Sequence, residues 1–375
     1  MLILLVPTTV LSARAESAPT EPASDDQYKF NAGGATFPFP LIDTWRVEYG
    51  KLYGNDLNYQ AVGSGAGIKL FTTKSVDFAA SDAPLQKSDI AKAPKGTLHI
   101  PETMGAIVVT YNLQGVQKNG LLLTGDVIAK IYLGKIIYWH DPQIVNLQTD
   151  PAIKKALKAD RNQIILVHRS DGSGTTFAFT SYLSQVSSDW RGQVGKGTSV
   201  PWPAGVGGSG NAGVAAIVKK VPESIGYVEL AYAKTNTIFG TNIPMTYAYI
   251  QNHDKSAFLD ATIETTAAAA SGAIKSLPTA DGVWSNVSIN DAPGPKAYPI
   301  STFTYLLVNP NLDQIKGMDK QKAQDLVHML YWFVTDGQKY SKGLLYVPLP
   351  SEVQELDKKG ISEIKFQGHQ LWSYP

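Results

Sequence analysis

Residues Ile164 to Leu183 read IILVHRSDGSGTTFAFTSYL, and the reading of this stretch decides the fold. Four successive apolar residues, Ile164 to Val167, spell a buried strand that stops at His168. From about Thr175 onward Phe177, Thr180, Tyr182 and Leu183 fall at helical spacing. Between them lies Arg169-Ser170-Asp171-Gly172-Ser173-Gly174, so the unit is a strand, a glycine turn and a helix. Gly172 and Gly174 let the backbone turn sharply, and Asp171 or Ser173 caps the helix, leaving first-turn N–H groups at its positive end. Such an end attracts anions. Arg169 adds a planar fork of donors suited to a tetrahedral oxyanion, and Asp171, two residues on, can hold the guanidinium in place. The chemistry points to phosphate or a close relative, although junctions of this composition also occur in α/β proteins without any ligand.

Two further junctions repeat the arrangement. Tyr28 to Ala32 leads into Gly33-Gly34-Ala35-Thr36-Phe37-Pro38, and Leu57 to Val62 leads into Gly63-Ser64-Gly65-Ala66-Gly67. Pro38 suits a first helical turn, and Leu41, Ile42, Trp45, Val47 and Tyr49 supply an apolar face. Ser64 starts the next helix. Three helix starts bearing Thr or Ser can surround one small anion if their strands end on one side of a cleft, as open α/β sheets favour.

The segments AGGATFPFPL, GSGAGIK, VDFAASDAPL, HRSDGSGTTFAFTSYLS and SIGYVELAYA, in this order, resemble the PstS family, the phosphate-binding proteins of the phosphate ABC importer. The resemblance runs from about Tyr28 onward and is least distinctive over residues 240–295. It implies an α/β, two-lobed periplasmic binding protein fold of type II, each lobe a mixed sheet flanked by helices, joined by two hinge crossings. Residues 28–105 and 302–375 would form the first lobe and 106–301 the second. It also implies phosphate ligands at Thr36, Phe37 (through its N–H), Ser64, Asp82, Arg169, Ser173, Gly174 and Thr175, with Asp171 orienting Arg169. Ala66 and Ser170 depart from the usual pattern without removing a donor. The implied partners are inorganic phosphate and the importer's permease subunits.

A chain of 375 residues with 43% hydrophobic content is long enough for two lobes with their own cores. Lys plus Arg number 33 against 32 for Asp plus Glu, so no strong field draws the protein to nucleic acid or an acidic membrane. No cysteine occurs, which removes disulfides, thiolate catalysis, Cys-ligated metals and a lipidated cysteine within this sequence. Residues 1–15, MLILLVPTTVLSARA, resemble the end of a secretory signal with cleavage after Ala15, although no basic residue precedes the apolar run. Residues 16–27 read as a disordered lead-in. No later stretch reaches ~18 consecutive apolar residues, so no stable membrane insertion is expected after signal removal. A periplasmic or secreted location follows.

Along the chain, Val76 to Ala80 reads as a third strand from which Asp82 emerges, and Gly105 to Asn112 as a strong strand crossing between lobes. Gly125 to Tyr132 and Pro151 to Ala159 read as helices. Gly205 to Gly210 matches G-x-G-x-x-G, but Val200-Pro-Trp-Pro203 before it cannot be the buried strand a dinucleotide fingerprint needs. Asn211 to Lys220 reads as a plain helix and Ile225 to Val228 as a strand. Ser256 to Ile274 reads as a long surface helix weakened by Gly272, Ile300 to Val308 as a returning strand, and Lys320 to Tyr340 as a helix packed on the first lobe.

Solute capture is therefore the leading function, with no cofactor, no metal and no catalysis. The alternatives are a secreted phosphate binder with an adhesive or signalling role and a phosphomonoester hydrolase using Ser64, Ser173 or Thr175. No G-x-S-x-G elbow or Walker-type loop supports the hydrolase, and the six histidines show no metal-ligand spacing. His168 and the seven tryptophans read as structural, Trp45 being the only one that could approach the anion loops.

Overall fold

The computed structural model describes residues 18–23, 27–236 and 242–374. Lys29–Gly34 (β1), Asp56–Ala61 (β2) and Phe78–Ser81 (β3) are parallel, with β1 between the other two. Helices Phe39–Tyr53 (α1) and Ser64–Thr72 (α2) make the crossovers that parallel pairing requires. All three strands therefore end on one side, which brings the turns at 35–38, 62–64 and 82–84 to a common edge.

Leu98–Asn112 (β4) belongs to two sheet regions at once. Its residues 98–106 pair antiparallel with Ser301–Val308, and its residues 107–112 pair antiparallel with Ser224–Glu229. Ile165–Arg169 (β5), Val206–Gly208 (β6) and Ser224–Glu229 (β7) form a second parallel set with β5 in the middle. With Ser301–Val308 as β8, the order among the described residues is β2-β1-β3-β8-β4-β7-β5-β6, and Thr246–Tyr247 pairs with β4 off this path. Helices Gly174–Val186 (α3) and Gly210–Lys220 (α4) follow β5 and β6. Their starting turns meet those of the first set: the Gly65 N–H donates to the Gly172 carbonyl at 2.8 Å. The returning chain lies beside the middle of β4, where Ile107 N donates to Ile300 O at 2.8 Å.

Helix Lys320–Val334 (α5) buries Leu326, Val327, Leu330 and Phe333. Phe333 stacks on Trp45 of α1 at 4.8 Å, and Trp45 Nε1 donates to Gly337 O at 2.7 Å. Trp45 is thus a core residue, not a neighbour of the anion loops. His168 stacks on Trp202 at 4.9 Å, a structural role as expected.

Several expectations are corrected. Ser256 to Ile274 is not one long helix: Phe258–Leu259 is a strand and the helix spans only Ile263–Ala270. Thr262 and Thr265 form a capping box that starts the helix late, and Thr266, Ala269 and Ala270 are buried, so alanine content here reflects packing and not a surface helix. The helix from Lys320 ends at Val334 and passes into a 3-10 turn, Asp336–Tyr340. Val47 is 40% exposed and leaves the apolar face of α1. Pro38 is the N-cap of that helix, with Pro40 in its first turn. Ile165 is 38% exposed, so the run 164–167 is not buried throughout. Within the expected disordered lead-in, residues 18–23 are placed and Pro19 is buried. Residues 1–17, with the cleavage reading at Ala15, lie outside the described residues, as do 24–26.

Candidate functional site

The loop after β1 is held by three tyrosines. Tyr59, Tyr232 and Tyr346 donate their hydroxyls to the carbonyls of Ala35 (2.8 Å), Thr36 (2.7 Å) and Phe37 (2.6 Å). Within a trans peptide the N–H points opposite to the C=O, so fixing the Thr36 carbonyl also fixes the Phe37 N–H. That N–H has no acceptor among the described residues.

Asn211, the second residue of α4, ties this loop to the opposite side of the cleft. Its backbone N–H and its Nδ2 both donate to Thr36 Oγ1, at 3.2 and 3.0 Å, and Nδ2 also lies 3.2 Å from Thr175 Oγ1. Its Oδ1 accepts from Glu229 N at 3.0 Å, which sets the amide orientation. Arg169 Nη1 donates to Thr175 Oγ1 at 3.3 Å. A hydroxyl has one proton and two lone pairs. Thr36 and Thr175 each accept twice, so each keeps its proton for a further acceptor.

Arg169 sits at the end of β5 with its side chain 1% exposed. Asp171 receives Nε at 2.8 Å and Nη2 at 2.5 Å in a side-on fork, and also the Gly210 N–H at 3.0 Å. Burial works against the Asp171 carboxylate, but the Arg169 hydrogen bonds and charge hold it below the ordinary range. Ser173 is the N-cap of α3: its Oγ accepts from Thr176 N at 3.0 Å. Gly174 is needed for close approach, since a Cβ there would lie 2.5 Å from Asp82 Cβ and 2.6 Å from Ser64 Oγ.

Asp82 enters from the exit of β3 and is fully enclosed. Its Oδ1 accepts from Thr304 Oγ1 at 3.0 Å, its Oδ2 lies 3.4 Å from Ser64 Oγ, and its N–H donates to that same Oγ at 3.2 Å. Burial pushes the carboxyl up to about 7, against Thr304, Arg169, Ser64 and the Thr175 N–H, all of which favour the anion. Beside it a cavity of about 660 Å³ is lined by Phe177, Arg191, Lys196 and Tyr305.

The structure thus brings Thr36, Phe37, Ser64, Asp82, Arg169, Gly174 and Thr175 to one place, with Ser173 capping and Asp171 clamping. Sequence reasoning missed Asn211, Thr304 and the three tyrosines. Asn211 followed a glycine pattern set aside with its dinucleotide reading; Tyr232 lay in SIGYVELAYA, where only resemblance marked the segment.

A family model described as a PBP superfamily domain matches residues 17–325. The phosphate-binding protein PstS of Xylella fastidiosa (strain Temecula1 / ATCC 700964) is 39% identical over 355 residues, covering 92% of this chain and 89% of that protein. The chain belongs to the PstS phosphate-binding protein family. PstS of Haemophilus influenzae is 38% identical, covering 85% of this chain and 88% of its own. PstS of Methanocaldococcus jannaschii is 36% identical, with 97% and 94% covered. The fold recurs in a high affinity periplasmic phosphate-binding protein bound with phosphate, at a TM-score of 0.63 and 18% identity, covering 89% of this PstS chain and 98% of that one. It recurs again in a human phosphate binding apolipoprotein, at 0.65 and 19%, with 87% and 92% covered.

Proposed function

We propose that this PstS-family protein captures inorganic phosphate in the cleft and delivers it to the permease subunits of an ABC importer, outside the cytoplasm. One observation carries the reading: a ring of donors at the ends of two strand sets encloses a single carboxylate, Asp82. Donors alone fit any tetrahedral oxyanion. An acceptor among them fits one that still carries a proton, as phosphate does near neutrality and sulfate does not. Thr36, Phe37, Ser64, Arg169, Gly174 and Thr175 donate, Ser173 and Asp171 support them, and Asn211 joins the set.

The lobes are 28–105 with 302–375 and 106–301, hinged where β4 and the chain near Ile300 run side by side. Phosphate contacts from both lobes favour the closed arrangement. Among the described residues no helix is long and apolar enough to cross a membrane. The protein binds without turnover: Thr36 and Thr175 receive hydrogen bonds from Asn211 and Arg169, which makes them better donors and poorer nucleophiles. Relatives of 36–39% identity are likewise named as binding proteins.

The test is a calorimetric titration of phosphate into protein stripped of anions by unfolding and refolding, paired with incubation with a phosphomonoester. The expected result is one phosphate per chain and no phosphate release from the ester. Absence of phosphate binding, or steady ester turnover, would contradict the proposal.

A further inference from the structure

Asp82 has a buried neighbour with no part in the account so far. Glu102 is 0% exposed in β4, within Ile100-Pro101-Glu102-Thr103-Met104. The pairing of β4 with β8 sets Thr304 against Thr103 and Tyr305 against Pro101, so Glu102 is the extra residue of a β-bulge. Bulges bend a strand and re-aim a side chain, and Pro101, lacking an N–H, offers a natural break in the ladder. Gln338 Nε2 holds the Glu102 carbonyl at 3.0 Å. The carboxyl is thereby turned toward Thr304, with Oε1 3.0 Å from Thr304 Oγ1; Asp82 Oδ1 lies 3.0 Å from the same hydroxyl.

Proton counting decides what this means. The Thr304 hydroxyl can donate to one of the two carboxyl oxygens but not both, so the other contact is a hydrogen bond only if its carboxyl brings a proton. Asp82 is the poorer holder, because Ser64, the Thr175 N–H and the Arg169 charge all favour its anion. Glu102 has no such company: among the described residues its Oε2 has no hydrogen-bond partner, and the ionisable groups that face it are Asp82 and Tyr59. Glu229 and Tyr305 lie within electrostatic reach of Asp82 and add no cation.

We propose that Glu102 is a positioning residue that keeps its proton, donates it to Thr304, and through the threonine's own proton pins Asp82 as an anion with Oδ1 engaged and Oδ2 presented to the ligand. Burial pushes both carboxyls up, and only at Asp82 do Ser64, the Thr175 N–H and the Arg169 charge oppose that rise. Glu102 therefore serves phosphate-over-sulfate selection without touching the ion, an assignment that rests on the phosphate reading above. When Glu102 ionises, two carboxylates compete for one hydroxyl and their repulsion adds to that of the bound dianion.

The test compares Glu102→Gln, whose amide can donate to Thr304 but cannot titrate, with Glu102→Leu, which cannot donate. Thermal unfolding confirms that both variants fold. Calorimetry at about pH 7 should leave Glu102→Gln within about threefold of the parent for phosphate, whereas Glu102→Leu loses roughly tenfold of the phosphate-over-sulfate ratio, as for a buried hydrogen bond left unmade. Between about pH 7 and pH 9 the parent's phosphate affinity should fall relative to that of Glu102→Gln, a ratio in which phosphate's own ionisation cancels. Infrared difference spectra of parent against Glu102→Gln at neutral pH should contain a protonated-carboxyl band, a readout that stands even if phosphate proves not to be the ligand. A Glu102→Gln variant with the parent's pH profile, or a difference spectrum containing only carboxylate bands, overturns the proposal.

Discussion

The two walls of the cleft handle charge in opposite ways. On one, Arg169 and Asp171 form a side-on pair, with Gly210 N–H as a third contact to the acid, so every charge has a partner in fixed geometry. On the other, Asp82 and Glu102 share one hydroxyl, Thr304, and among the described residues no cation lies between them. The first wall keeps its charge state, because Asp171 is held ionised by its hydrogen bonds to Arg169 and by the Arg169 charge. In the second, on the proposal above, one proton sets the charge state. On the proposed reading, affinity and selectivity are built from different materials: a clamped cation supplies the pull, and a protonation-controlled acid supplies the choice.

The largest effect should come from breaking the acidic wall. Asp82→Asn replaces an acceptor by an amide that can donate, so sulfate is no longer met acceptor to acceptor. Sites built around a ligand hydroxyl reject analogues lacking it by roughly 10⁴-fold, and most of that preference should vanish in the variant. Competition of labelled phosphate against sulfate measures it; an unchanged preference would remove Asp82 from the ligand set.

Breaking the cationic wall should cost affinity first, with a smaller loss of selectivity because the Arg169 charge also favours the Asp82 anion. Arg169→Ala removes a charge-assisted donor worth about 1.5–3 kcal/mol, roughly ten- to a hundredfold in phosphate affinity by calorimetry. A smaller loss, about three- to tenfold, is expected for Asn211→Ala, which frees Thr36 and Thr175 from the amide that directs their protons. Binding equal to the parent's would make Asn211 a scaffold residue only.

The smallest effect concerns stability without ligand. Asp82, Glu102 and Glu229 have folded-state values raised by burial to about 7, 8 and 8, above their unfolded values near 4. The folded state therefore binds more protons, and stability present at mildly acidic pH is lost as pH rises through those values. Melting temperature of the anion-free protein should drop by a few degrees from about pH 5 to pH 8. Glu229→Gln should flatten the slope; a melting temperature that rises with pH would reverse the sign of the account.

The contrast between the walls also tracks what was readable in the sequence. The cationic wall is local: Arg169, Asp171, Ser173 and Thr175 fall within seven residues, and a strand, a cap and a helix start are enough to place them together. The acidic wall is assembled across the chain, Asp82 meeting Thr304 from 222 positions away and Glu102 meeting it from 202. Nothing in Ile-Pro-Glu-Thr-Met announces a bulge, because the bulge exists only against β8. The tyrosines holding residues 35–37 come from three separate segments for the same reason. At Ser256 to Ile274 composition misled, since small residues that allow close packing also raise helix propensity. The three strand-turn-helix junctions were legible, whereas the convergence of their strand ends was an assumption that the parallel pairing of β1, β2 and β3 bears out.

The central claim, that a ring of donors around one acidic acceptor selects a protonated oxyanion, is tested most directly on the unaltered protein. Phosphate is titrated by calorimetry into anion-free protein at neutral pH, first in plain buffer and then in a large excess of sulfate at matched ionic strength. The account predicts nearly the same phosphate affinity in both. Displacement of phosphate by sulfate at comparable concentrations would contradict it.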